Sequence, residues 1–184
     1  KEGLTSVFTE CNRVTKDNGF LVFSFHDKSL DSWISILKSI YASGFELVKS
    51  YPMHSESRTG AHTSNKNSIA LDILLICKKR NENDKEIITE EIISNIKDET
   101  LRVTEDIIVR LQNVNAEITI PDIENIFISE YFSICNKYSI HEKVFDDLII
   151  EDIKQGIDSL GEYFNEFDIT TVRSGWWSKL YSNK

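Results

Sequence analysis

Residues 20–79 constrain the fold most, because three short apolar runs there are separated by one amphipathic segment and one long polar segment. The runs FLVFSF (20–25), FELVKSYPM (45–53) and IALDILLIC (69–77) have strand length and strand composition. Between the first two, Leu30, Trp33, Ile34, Leu37, Ile40 and Tyr41 recur at helical spacing, with Ser29 as N-cap and Gly44 as the stop. The expectation is a strand, a helix, and two strands closing on each other around a polar loop. Phe20 to Phe25 is continuously apolar, the pattern of a strand covered on both faces as in a parallel sheet. It ends in polar Ser24, His26 and Asp27, and the carboxyl ends of strands are where open α/β sheets place their ligand sites. Pro52 is expected to end regular pairing in the second strand.

Upstream, Leu4, Val7, Phe8, Cys11 and Val14 predict a helix that feeds the first strand, with Gly19 able to take the left-handed conformation after the helix end. Downstream of Asn81 the chain turns to Ile, Glu, Asp and Lys at helical period. Ile88, Ile92 and Ile96 mark one helix, and Leu101, Ile107, Ile108 and Leu111 a second or a continuation. Thr119 and Pro121 open a helix carrying Ile123, Ile126, Phe127, Tyr131 and Ile134, and Ile153, Ile157, Leu160 and Phe164 mark a last one. Trp176 and Trp177, in a final stretch without cap or period, either dock on the chain or face a partner. The charged segment at 78–86 is the one plausible boundary, dividing an α/β unit (1–80) from an acidic helical region (81–184).

Charge divides the same way. Residues 1–80 carry 11 Lys+Arg against 8 Asp+Glu, and residues 81–184 carry 10 against 22. The net charge of -9 argues against binding nucleic acid through bulk charge, so a polyanion would meet the first half. No apolar run approaches the ~20 residues that span a bilayer, and the first residues lack the apolar core of a signal peptide, which makes the cytoplasm the expected compartment. Cys11, Cys77 and Cys135 are far apart and show no metal-ligand spacing with the four histidines; they read as reduced core residues, with no metal site expected.

The order Phe25-His26, Trp33, Gly44-Phe45, Pro52, Ser55-Glu56, Asn67 and Cys77-Lys78 resembles the carboxyl-terminal part of large prokaryotic adenine-specific DNA methylases. The segment PDIENIFISEYFSICNKYS also resembles the helix that follows in that family. The resemblance implies the end of a class I, Rossmann-like methyltransferase sheet, three strands with flanking helices, followed by a helical appendage. It further implies a parent enzyme that moves a methyl group from S-adenosylmethionine to N6 of adenine in DNA, in restriction-modification or phage defence. Where the family tends to carry a second His after Phe-His, this chain has Asp27.

Two family motifs do not occur. Pro stands only at 52 and 121, so no Asp-Pro-Pro-Tyr is present to hold the target amine, and no clustered glycines follow a strand to hold the cofactor. On the family's order the tetrapeptide belongs just upstream of Lys1, and the chain reads as a piece cut from a longer protein. Methyl transfer to an exocyclic amine depends on holding the amine in line with the sulfonium methyl. Without those groups these 184 residues are expected neither to catalyse nor to bind S-adenosylmethionine alone.

The resemblance puts His26 on the target-base side of the cleft; the plainer reading is a His bonded to its own loop. Glu56, Arg58, Lys66 and Asn67 lie in the long loop that approaches the flipped base or DNA in related enzymes, and equally fit a solvated hairpin loop. Asp72 reads as an exposed edge residue rather than a buried acid paired with Lys or Arg, and Trp33 as core. A three-stranded unit leaves an open sheet edge, to be covered by a second copy or by the acidic helices, or left frayed. The alternative function is a non-catalytic protein-interaction module that keeps a methyltransferase-like half-fold.

Overall fold

The computed structural model describes residues 2–54, 69–81, 85–139 and 148–166. Helix α1 (Glu2–Val14) leads into strand β1 (Phe20–Phe25), helix α2 (Leu30–Ala42), strand β2 (Phe45–His54) and strand β3 (Leu71–Lys79). Helices α3 (Glu90–Asn113), α4 (Ile120–Cys135) and α5 (Ile150–Glu166) follow, and two short strands, β4 (Glu86–Ile87) and β5 (Tyr138–Ser139), pair in parallel beside them. The stripe from Ile92 to Leu111 thus belongs to one continuous helix, and Ile88 precedes it.

The three long strands form a sheet in the order β1-β3-β2, with β3 antiparallel to both neighbours. β1 and β2 therefore run the same way without touching, linked by α2. This corrects the expectation for β1, which is an edge strand next to an antiparallel partner, and not a strand buried on both faces. In register, Leu21, Phe23 and Phe25 lie beside Cys77, Leu75 and Ile73 on the inner face, and Phe20, Val22 and Ser24 beside Lys78, Ile76 and Leu74 on the outer face. Inner residues pack on the helices: Phe8 of α1 meets Phe23 at 5.3 Å between ring centroids, and Trp33 of α2 stands edge-on to Phe25 at 4.9 Å. Phe20 and Val22 remain 61% and 50% exposed.

β2 departs from its expected pattern at Val48 and not at Pro52. A bulge between Leu47 and Lys49 shifts the register, while Pro52 stays paired opposite Ile73 and the strand continues to His54. Pro lacks an N–H to donate, and a strand with one free edge tolerates it. The left-handed glycine is Gly44, at φ 80, whose carbonyl accepts bonds from Asn12 Nδ2 and the Arg80 backbone N–H. Gly19 does not take that conformation; a Cβ there would sit 2.9 Å from the Thr15 methyl, so its lack of a side chain serves a tight turn.

Three polar ties join the helical region to the sheet. Asp122, fully buried at the start of α4, accepts from the backbone N–H groups of Leu71, the first residue of β3, and of Ala70 just before it, and from the backbone and hydroxyl of Thr119. Ser129 and Ser50 share a buried hydrogen bond of 2.9 Å, and Ser50 also donates to Glu130. Ser133 donates to the Val48 carbonyl at the bulge, so α4 also holds β2 where the register shifts. Buried side chains from both sides of the 78–86 segment belong to one hydrophobic cluster. α5 closes the helical layer with Ile153 and Leu160 buried; the side chain of Phe164 lies outside the described residues. Gly156 lets α5 approach α4, since a Cβ there would fall 2.3 Å from the Phe127 ring. Among the described residues, no helix is long and apolar enough to cross a membrane.

Candidate functional site

The polar residues after β1 converge with groups from β3 and α4. Asp27 shapes the turn: its carboxylate accepts from the Ser29 N–H at 2.7 Å and its carbonyl from the Trp33 indole at 3.2 Å. Ser29 stands at the N-cap of α2 without a side-chain cap bond, so the turn is held by Asp27 and not by the Ser hydroxyl. The indole Nε1 also donates to Asn125 Oδ1 of α4 at 2.6 Å. An indole can only donate, which orients the Asn125 amide and leaves its buried Nδ2 without a partner among the described residues. A cavity of about 180 Å³ lies below the turn, lined by Asp27, Leu30, Glu124, Asn125, Ile128 and Lys154 among others. Burial holds the Glu124 carboxyl above the usual range.

On the outer side of the same turn, His26 Nδ1 meets Asp72 Oδ1. The His26 side chain is 42% exposed and that of Asp72 22%. Asp72 is therefore not an exposed edge residue, and among the described residues its ion-pair partner is a histidine and not a Lys or Arg; it sits on the central strand. Antiparallel register brings this about, since the end of β1 lies beside the start of β3, and Met53 of β2 lies on the other side of Asp72. Beyond this row the outer face mixes apolar and polar groups, with Leu74 between Ser24 and Tyr51 and Ile76 between Val22 and Lys49. Tyr51 and Met53 are exposed, and the Lys49 ammonium lies 5.1 Å from the centre of the Tyr51 ring. A hydrogen bond to Tyr51 raises the Lys49 pKa.

Of the residues singled out in the sequence, His26 occupies a defined position. Glu56, Arg58, Lys66 and Asn67, together with Trp176 and Trp177, lie outside the described residues. Sequence reasoning missed the pairing partner Asp72 and the contribution of Asn125. The first was accessible by laying β1 against β3 in antiparallel register; Asn125 carries no local signal.

Other clusters are structural. Asp152 accepts from Lys97 at 2.9 Å and from the Tyr131 hydroxyl at 2.8 Å, a buried network joining α3, α4 and α5. Burial foremost, with Asp152 and Cys135 beside it, pushes the Tyr131 phenol far above its ordinary value. Burial also drives the Cys135 thiol upward and the Cys77 thiol up to about 12, so both stay protonated near neutrality and are poor nucleophiles. All three cysteines are free, and no group of three metal-binding side chains occurs among the described residues.

No family model, curated protein or solved structure matches this chain.

Proposed function

We propose that this chain forms the carboxyl-terminal part of an S-adenosylmethionine-dependent DNA adenine-N6 methyltransferase acting in restriction-modification or phage defence in the cytoplasm. The observation that carries this reading is the strand order. β1 and β2 run the same way, are joined through α2, and receive β3 antiparallel between them. The part of this order that the resemblance implies is a strand, a helix and two strands closing on each other; the insertion of β3 beside β1 goes beyond it. The carboxyl end of β1, where such sheets meet their ligands, leads into Asp27 and Lys28, which line a cavity, and into His26, which pairs with Asp72 on the outer side of the turn. In this reading the amine-holding tetrapeptide and the cofactor turn belong to the parent protein, and these residues frame the base side of the cleft.

The test is methyl transfer by the full-length protein, using S-adenosylmethionine labelled in the methyl group and duplex DNA containing adenine. Label recovered as N6-methyladenine is the expected result. A full-length protein that neither retains S-adenosylmethionine nor labels DNA sinks the proposal. The 184-residue chain alone is expected to bind no S-adenosylmethionine in calorimetry.

A second reading is a non-catalytic interaction module, and the outer sheet face favours it. Phe20, Val22, Tyr51 and Met53 are exposed together there, and a partner or second copy could cover them. Retention of a protein partner at high salt, with no DNA retained by the full-length protein at low salt, would decide for this reading.

A further inference from the structure

We propose that Asp72 is a positioning residue, which holds His26 in the tautomer protonated on Nδ1 and leaves Nε2 as an open hydrogen-bond acceptor for an N–H donor of the ligand. The argument begins with the atoms in contact. Asp72 Oδ1 faces His26 Nδ1. An ionised carboxylate can only accept, so the pair is favourable only when Nδ1 carries the proton. A neutral imidazole has one N–H, and fixing it on Nδ1 makes Nε2 a lone-pair acceptor. The same device orients histidines in many sites, where a carboxylate behind one ring nitrogen sets what the other presents.

Position favours a ligand-facing role over a simple surface pair. Asp72 comes from the central strand, anchored between two neighbours, and is more enclosed than the ring it holds. His26 follows the last residue of β1 and keeps 42% of its side chain exposed. On the far side of Asp72 the row continues with exposed Met53, and the next row holds Leu74 and exposed Tyr51, with exposed Ser24 on the β1 side. A polar acceptor beside an apolar shelf suits a planar heterocycle bearing an amino group, which can lie on the shelf and donate one N–H to Nε2. This ligand assignment rests on the reading above, in which the heterocycle is an adenine; the positioning role of Asp72 does not.

The experiment is long-range ¹H–¹⁵N correlation spectroscopy of the histidine rings in the 184-residue chain at about pH 8, where an ordinary imidazole is neutral. His26 is identified through loss of its signals in His26→Gln. The expected pattern is a protonated Nδ1 and an unprotonated Nε2, with reversion toward the Nε2–H form normal for free histidine in Asp72→Leu. A wild-type ring protonated on Nε2, or on both nitrogens, overturns the proposal without needing any variant to fold. Asp72→Asn keeps the volume and adds a control, since its amide can either accept from or donate to Nδ1; a mixture of tautomers is expected, and an unchanged Nδ1–H pattern in both variants overturns the role of Asp72. Adding a short adenine-containing single strand should then shift the Nε2 resonance of His26 and leave Nδ1 nearly unmoved. Failure of that shift alone removes the adenine assignment and leaves the positioning role standing.

Discussion

The two faces of the sheet are made from the same three strands, and along the middle of β3 both carry aliphatic side chains, yet one is a core and the other is not. On the inner face Ile73, Leu75 and Cys77 are completely buried under α1, α2 and α4. On the outer face Leu74 and Ile76, their immediate neighbours along β3, stay partly exposed, Leu74 between Ser24 and Tyr51 and Ile76 between Val22 and Lys49. Alternation along a strand sends successive side chains to opposite sides, so for these aliphatic residues of β3 the difference arises from what packs there and not from residue type. An aliphatic run in sequence therefore signals only that both faces tolerate apolar groups. Which face holds the fold together depends on the helices.

The comparison breaks most sharply at Trp33. Its ring is fully buried against Phe25, and its N–H is shared by the Asp27 carbonyl and the Asn125 amide. Trp33→Ala should cost about 4 kcal/mol in urea unfolding, since the cavity left by a large aromatic adds to the lost transfer energy. It also strips the remaining partner from a buried Asn. A loss below about 1.5 kcal/mol would mean that the α2–sheet interface is not the core it looks to be.

Asp122 tests the same interface through polar contacts. Asp122→Ala leaves the N–H groups of Ala70, Leu71 and Thr119 without their acceptor and should cost about 3 kcal/mol, because unpaired buried donors carry a full desolvation penalty. Asp122→Asn keeps one acceptor oxygen and should recover part of that loss. Equal losses in the two variants would show that the charge matters and the hydrogen bonds do not.

Much of this architecture was legible beforehand because helix stripes and strand runs are local signals. The stripe from Leu30 to Tyr41, the Thr119-Pro121 helix start and the core position of Trp33 all follow from spacing and capping. The arrangement of β1 was not legible in the same way. A run such as FLVFSF is consistent with burial on both faces or with one packed and one open face, and only the register against β3 separates them. The bulge at Val48, the acceptor role of Asp122 and the Asn125–Trp33 bond depend on residues distant in sequence. For the candidate site, the polar end of β1 was visible, whereas the His26–Asp72 pair required knowing that β3 enters between β1 and β2.

Glu130 extends the contrast to pH. Its carboxyl is held above the ordinary value of 4.5 by burial, against the opposing pull of the Ser50 hydrogen bond and the Lys49 charge. With the folded value raised, the folded state binds more protons between the two values. The contribution to stability is fully present below 4.5 and is lost as pH rises through the raised folded value. Glu130→Gln keeps a group able to accept from Ser50 and removes the titration. Urea midpoints measured at about pH 4 and about pH 7 should therefore differ less in the variant than in the wild type. An identical pH slope in both would assign the dependence to other carboxylates.

The smallest effect is expected where the comparison is most exposed to error. Val22→Thr and Met53→Thr preserve strand-compatible side chains and replace apolar surface by hydroxyls on the outer face, far from the helices that cover the inner one. If that face is open to water, each change should alter unfolding free energy by no more than about 0.5 kcal/mol, as for surface substitutions that touch no packed or hydrogen-bonded group. The inner-face control Leu75→Ala should cost about 2 to 5 kcal/mol in the same assay. A loss of about 2 kcal/mol or more from Val22→Thr would place this surface under cover in solution, and its disappearance on dilution would identify the cover as a second copy of the chain, because stability that depends on association scales with concentration.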